Sequence, residues 1–371
     1  MEVTAVEAIP VRAGVRPREE PMGLAPYASN HGRVEAAERV LVRVETDRGV
    51  TGWGEMLAAM GSPAATAVVI EEVVAPELVG RDPRNVQSFL EAFYFPYVKV
   101  DPFVGAVETA LWDVAGKDRE ASLAAMLGGA TAEAIEVAYC VGLLPPGESR
   151  THARRALDAG FSTLKTKAGA DWERDVERVA AMDDEADGAL DIRLDPNQGW
   201  AFEDAVRAGA RLEERGVYLQ YLEQPCRIDT YGTYAKLRER LRQPVAVNED
   251  TYFRRNLKTL VDRDAIDAAV IDLVPAGGVV RARELAAVAG EAGVSVAHHN
   301  GFDLGIKQAA VLHLAAATPA ITLPPDTVYY AWADHVLADP LAVEDGAMPV
   351  PDGPGLGVDV DEQRVEELRV D

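Results

Sequence analysis

Apolar and polar residues alternate along residues 3–11, 39–46 and 49–55. A period of two belongs to strands with one buried face, so this portion reads as an antiparallel sheet, with Asp47-Arg48-Gly49 turning the hairpin between the last two strands. Between the first two strands lies a polar stretch, residues 13–34, that carries Pro and Gly. It is long for a plain connection, and is expected to be either disordered or a lid over a site. The period then lengthens to that of helices in residues 64–78, 85–92 and 104–127. In the last of these Val107, Ala110, Leu111, Val114 and Ala115 form one apolar stripe, and Gly128-Gly129 ends it.

From about residue 134 short apolar runs alternate with amphipathic helices, the pattern of repeated βα units and a parallel sheet. The runs lie at 135–141, 163–166, 192–194, 218–222, 245–247, 268–271, 294–297 and 320–323. Eight such strands suggest closure into a barrel. The chain, at 371 residues, exceeds a usual single core, so one large α/β barrel and a smaller domain are the expected partition. The remainder, from His335 onward, is acidic and rich in Pro and Gly.

Strand ends are where a parallel barrel places its chemistry. Lys165 and Lys167 end one run, and Asp195, Glu223, Glu249, Asp272 and His299 end later ones. Three carboxylates on successive strands, Asp195, Glu223 and Glu249, offer an all-oxygen site suited to Mg²⁺, although any one of them alone reads as a helix cap. Asn248 is the alternative third ligand if the register slips by one. Asn197, in Asp195-Pro-Asn-Gln, is placed to touch a ligand. Lys165 and Lys167 alternate on one strand and so point the same way. At a barrel mouth the two ammonium groups and a cation are expected to depress one another's pKa and leave a base. Asp272 can hold one nitrogen of His299 and free the other for proton transfer; His298 is the alternative, facing the opposite side. His313 reads as packed in a helix. His31 sits in the lid-like stretch as a candidate substrate contact. Asp326, past the eighth strand, reads either as a turn residue or as a protonated hydrogen-bond donor to the substrate carboxylate.

Charge narrows the partners. There are 61 acidic against 37 basic residues, a net charge of -24, and only seven lysines. Such a surface repels nucleic acid and anionic membranes. It suits a salt-rich cytoplasm, where screening relieves self-repulsion, and a chain that otherwise prefers arginine keeps lysine where an amine must lose its proton. No apolar run approaches a membrane span and the start lacks a signal-peptide pattern, so a cytoplasmic protein is expected. Cys140 and Cys226 fit neither a metal-binding nor a disulfide spacing and read as buried thiols.

Taken in order, Val107-Glu-Thr-Ala-Leu-Trp-Asp-Val-Ala-Gly-Lys117, Leu164-Lys-Thr-Lys-Ala-Gly169, Leu194-Asp-Pro-Asn-Gln198, Leu222-Glu-Gln-Pro225, Asn248-Glu249, Asp272 with Gly277-Gly278, and Ala297-His-His-Asn300 resemble the enolase superfamily, mandelate racemase group, over essentially the whole chain. The resemblance implies a modified TIM barrel at residues 131–335. It also implies an α+β capping domain at residues 1–130, to which residues 336–371 return. Residues 13–34 and the turn at 56–62 would select the substrate. Asp195, Glu223 and Glu249 match the Mg²⁺ ligands, Lys167 the base on one face, His299 with Asp272 the acid/base on the other, and Lys165 the stabiliser of substrate charge. Asp326-Thr327 resembles the glucarate dehydratase branch more than the racemase branch, which carries glutamate near that point. The implied reaction is α-proton abstraction from a small, unphosphorylated anionic acid through an enolate. Dehydration of a sugar acid to a 2-keto-3-deoxy acid is the expected outcome and racemisation or epimerisation the alternative. A barrel that binds metal and carboxylate without turnover is the reading of another class. Similar proteins are commonly dimers or octamers, so a homo-oligomer is expected.

Overall fold

The computed structural model of this chain describes residues 1–93, 98–253 and 255–370. The first strand, β1 (Val3–Gly14), is followed by a short hairpin of β2 (Tyr27–Ser29) and β3 (Gly32–Val34), then by β4 (Ala36–Thr46) and β5 (Thr51–Leu57). β1, β4 and β5 pair antiparallel in that order. The sheet lies directly on the helix Asp101–Arg119. A side chain at Gly54 would place its Cβ 2.0 Å from the Ala106 carbonyl oxygen, and one at Gly52 would place it 2.3 Å from that of Ala110. Only glycine allows that approach.

The helix expected across residues 104–127 is two helices. Glu120, at φ 52°, takes the left-handed conformation that ends Asp101–Arg119, and the Ser122 side chain accepts from the Ala125 amide to start Leu123–Met126. The expected helix at 64–78 runs as Pro63–Val69, a π turn over Ile70–Val74 and a 3₁₀ turn over Ala75–Glu77. Pro76 has no amide to continue the α ladder. The stretch between β1 and β4 is the lid alternative. Its hairpin is pinned by Leu143 N donating to Ala28 O at 2.7 Å and by Asn30 Nδ2 donating to Pro196 O at 2.7 Å.

The run at 135–141 divides into β6 (Ala134–Glu136) and β7 (Ala138–Val141), because β6 leaves the barrel. The barrel continues through β8 (Thr163–Lys167), β9 (Asp191–Asp195), β10 (Tyr221–Glu223), β11 (Val245–Val247), β12 (Ala268–Ile271), β13 (Ser295–His298) and β14 (Asp326–Thr327). These eight strands, β7 to β14, pair in parallel in the order β13-β12-β11-β10-β9-β8-β7-β14. The eighth strand is therefore not the apolar run at 320–323. That run bonds to β13 around Val296, whose carbonyl accepts from Thr322 N and Leu323 N and whose amide donates to Thr322 Oγ1, which nearly closes the ring. β14 itself is two residues long and buried, with Asp326 inside the strand.

Tyr221, Ala246, Ala268, Val270 and Ala297 fill the barrel interior. Among them Arg193 is wholly buried, its guanidinium 4.9 Å from the Tyr221 ring centre. After the barrel, β15 (Ala347–Pro349) pairs with β6, and the tail returns to the first part of the chain: Val370 N donates to Pro10 O of the first sheet at 3.0 Å, and Gly355 O accepts from Leu123 N, at the start of the helix Leu123–Met126, at 2.7 Å. Asp371, the last residue of the expected terminal segment, lies outside the described residues. Among the described residues no helix is long and apolar enough to cross a membrane. Cys140 and Cys226 are buried free thiols, pushed up by burial, the second to about 11.

Candidate active site

A cavity of 690 Å³ opens at the carboxyl ends of the barrel strands, beneath the hairpin of β2 and β3. Lys165, Lys167, Asn197, Asn248, Glu249, His299 and Asp326 line it from the barrel, and His31, exposed, lines it from the hairpin. Asp195, Glu223 and Asp272 stand buried behind that wall. The residues singled out in the sequence therefore meet in one place. Those of the barrel meet because each lies at or just beyond the carboxyl end of a parallel strand or in the short strand β14, and so projects toward the same rim.

The two lysines face the carboxylates. Lys167 Nζ lies 2.6 Å from Asp195 Oδ2, and Lys165 Nζ lies 3.3 Å from the same atom, 2.7 Å from Glu223 and 2.9 Å from Asp326 Oδ2. Burial pulls the Lys165 ammonium down, but Asp326, Glu223 and Asp195 outweigh it and hold the group well above the ordinary range. The depression expected of the pair requires a cation beside it; with these carboxylates as its neighbours Lys165 moves the other way. Three carboxylates around one amine favour the charged form. Burial and Asp195 push the Glu223 carboxyl up to about 8 against the pull of Lys165. Asp195 goes the other way, below the usual carboxylate range, because Lys167 and Lys165 outweigh its burial.

Asp326 is neither a turn residue nor a protonated donor, the two alternatives its sequence context offered. Burial raises it, yet Lys165 and Arg193, the latter 2.8 Å from Oδ1, hold the carboxyl below its usual range. It is an ionised partner of two cations. Arg193 was legible in principle, since it stands two residues before Asp195 on one strand and so shares its face.

Glu249 does not end a strand; it begins the 3₁₀ turn Glu249–Tyr252 after β11. Asn248 spends its side-chain oxygen on the Tyr252 hydroxyl at 2.9 Å and its amide nitrogen on Val270 O at 2.8 Å. Glu249 Oε2 and Asn197 Oδ1, by contrast, are buried without a hydrogen bond, as is Glu223 Oε2, which is close to Lys165 but outside hydrogen-bond geometry. A buried carboxylate oxygen left unpaired, as at Glu249, is costly and calls for a cation, whereas Glu223 Oε2 already has the Lys165 ammonium at 2.7 Å. The donor set therefore fits a hard metal ion, although among the described residues no three acidic, histidine or cysteine side chains stand assembled at metal-holding spacing. Asp195 and Glu223 are engaged by lysines.

On the far side, Asp272 and His299 follow their strands by one residue. Asp272 caps the short helix Leu273–Ala276, and His299 N donates to Ile271 O at 2.8 Å. His299 Nδ1 is 3.1 Å from Asp272 Oδ2. His298 points the other way: Nε2 accepts from Leu273 N at 3.0 Å and Nδ1 donates to His299 O at 2.7 Å. Burial drives it down to about 4, so it stays neutral with both nitrogens committed to backbone. His313 is buried in the helix Gly305–Ala316, with Nε2 against Leu356 O at 3.0 Å.

Sequence reasoning passed over Lys307. Its ammonium lies 2.8 Å from Asp272 Oδ1 and 2.9 Å from Asp303 Oδ1, fully enclosed. Burial raises the Asp272 carboxyl, but Lys307, His299 and His298 more than offset that and hold it far below the usual range. The available signal was the scarcity of lysine itself.

Residues 12–128 match the mandelate racemase / muconate lactonizing enzyme N-terminal domain, and residues 148–364 match the enolase C-terminal domain-like family. The chain is 28% identical over 369 residues to D-galactarolactone cycloisomerase of Agrobacterium fabrum, covering 93% of this chain and 95% of that protein. It is 28% identical over 344 residues to arabinonate dehydratase of Saccharolobus solfataricus, covering 90% and 91%. Among solved structures, an isomerase from Streptomyces coelicolor A3(2) superposes with a TM-score of 0.84 at 30% identity, covering 99% of this chain and 98% of that one.

Proposed function

We propose that this chain, which belongs to the mandelate racemase / muconate lactonizing enzyme family of the enolase superfamily, removes the α-proton of a sugar acid and dehydrates it to a 2-keto-3-deoxy acid. One observation carries the reading: Lys167 and His299, the latter backed by Asp272, open on the same cavity from the ends of different strands. A proton beside a carboxylate is very weakly acidic, so abstraction needs positive charge placed in advance for the enolate.

Asp195, Glu223 and Glu249 are the residues that would hold Mg²⁺, which when bound supplies part of that charge. Lys165, raised and cationic, supplies more. Lys167, as the neutral amine, takes the α-proton, and the electrons of the C–H bond become the enolate. When they return, the C–O bond at the β-carbon breaks, and the departing hydroxyl takes a proton from imidazolium His299 and leaves as water. The enol product then tautomerises to the 2-keto acid. Arabinonate dehydratase, one of the relatives, supports this outcome. D-galactarolactone cycloisomerase supports a second: opening of a sugar-acid lactone by the same α-proton removal, with the ring oxygen leaving in place of hydroxyl. The third outcome is racemisation or epimerisation, in which His299 returns a proton to the opposite face.

The test is a panel of aldonates, aldarates and their lactones in deuterated water with Mg²⁺, at low and high salt, followed by NMR. Keto-acid formation supports dehydration. Isomerisation without loss of water assigns the lactone reaction, and exchange with inversion alone assigns the racemase. No α-proton exchange with any acid under either condition overturns enzyme function in favour of a binding barrel.

A further inference from the structure

Lys307 is the buried charge the proposed chemistry leaves unused. It sits on the barrel helix Gly305–Ala316, and both oxygens of Asp272 are within its reach, at 2.8 Å and 3.0 Å. Oδ2 is also the atom facing His299 Nδ1. Lys307 and the imidazole thus grip one carboxylate from two sides.

The lysine is itself fixed. Asp303 holds its ammonium at 2.9 Å, and Glu55 Oε2, on β5, accepts from its backbone amide at 2.8 Å. Arg39, on β4, ties the arrangement together, with NH2 2.8 Å from Glu55 Oε1 and 3.0 Å from Asp303 Oδ1. All of these side chains are buried. A carboxylate with freedom to rotate would not keep one oxygen on the imidazole, whereas one bound on its other side by a fixed ammonium has a single seat. A lone buried cation is costly, so an ammonium enclosed among Asp272 and Asp303 is there for what it holds.

We propose that Lys307 is a positioning residue for His299: it pins the Asp272 carboxylate so that Oδ2 is kept on Nδ1–H and the other ring nitrogen is left to the cavity. The role rests on the reading of His299 as the acid/base. Lys307 touches neither cavity nor substrate and acts only through Asp272. Its contact set reaches from β4 and β5 into the barrel, so the first domain takes part in orienting a barrel histidine.

The test reads the imidazole directly. In the full chain labelled with ¹⁵N-histidine, and with the His299 signals assigned by His299→Gln, the wild type shows His299 protonated at Nδ1 with a slowly exchanging, downfield ring proton. In Lys307→Met that proton signal is lost and the ring nitrogens average between tautomers, while circular dichroism stays native. Lys307→Arg, which keeps a cation on Asp272, retains the signal. A Lys307→Met protein that folds and keeps the wild-type ring signature overturns the proposal. So does a Lys307→Arg protein that folds and loses it, which decides the matter if the methionine variant does not fold. The measurement uses no substrate, so failure of every acid to turn over counts against the proposed reaction and leaves this result intact. An unmoved ring signature counts against Lys307 alone.

Discussion

The Lys167 ammonium stands 2.6 Å from Asp195 Oδ2, so the proposed base and a proposed metal ligand occupy one another. A carboxylate committed to a cation draws it away from the amine, and an amine freed of that pairing gives up its proton more readily. In the proposed scheme the metal and the Lys167 amine compete for that carboxylate. Asp195→Asn is expected to weaken Mg²⁺ binding at least tenfold by calorimetry, and chelation of the wild type to abolish α-proton exchange until Mg²⁺ is restored. Undiminished exchange in excess chelator would remove the metal from the scheme.

Lys167 and His299 approach the substrate from different strands and should fail differently. Loss of a positioned acid or base costs about 10²–10⁴ in rate. Lys167→Met is expected to abolish α-proton exchange on every substrate by that factor. His299→Gln should leave exchange by Lys167 measurable while suppressing product formation. Equal residual exchange in the two variants would count against a two-base site.

Arg193 and Asp326 form a buried pair at 2.8 Å inside the barrel. Removing Arg193 leaves Asp326 with Lys165 alone and its Oδ1 without a cation, at a cost of up to about 3–5 kcal/mol. Arg193→Met should lower the urea unfolding free energy by that amount. A variant within about 1 kcal/mol of wild type would show that Lys165 alone satisfies Asp326.

His152 donates a pH signature remote from the site. It packs against Tyr139, whose hydroxyl lies 2.9 Å from Nδ1, and burial pushes its pKa from 6.5 down to about 4. The folded state resists the proton that the unfolded chain accepts, so this contribution is complete above pH 6.5 and is lost as pH falls toward 4. The stability advantage of wild type over His152→Gln should shrink by about 2–3 kcal/mol between about pH 7 and about pH 4.5. A gap independent of pH would show that the ring is not held neutral.

The net charge of -24 is the basis for proposing a salt-adapted protein. Raising KCl from about 0.1 M to about 2 M screens that repulsion and should raise the melting temperature and activity together. Loss of folding and activity above about 1 M would overturn the salt-adapted reading.

Much of the site was legible because period and strand end coincide: Lys167, Asp195 and Glu223 each terminate a strand, and Lys165 stands two residues before Lys167 on the same face. The eighth strand was not. Residues 320–323 have the apolar character of a strand, yet the ladder forms at Asp326–Thr327, polar residues that survive burial through Arg193, Lys165 and a Thr327–Gln308 hydrogen bond. Ionisation of Asp326 was hidden for the same reason, since it depends on partners from other strands. The break at Glu120 was hidden because a left-handed cap needs no glycine. Lys307 lies mid-helix, and only the meeting of Asp272 with Asp303 gives it meaning.

Arg39 donates to the Gly301 carbonyl at 2.7 Å across 262 positions of chain. A contact of that span closes late, since the entropy of drawing such distant segments together is met only once the intervening barrel exists. During refolding, secondary structure should therefore recover first, and the ability to turn over substrate should lag until the earliest and latest parts of the polypeptide have found each other.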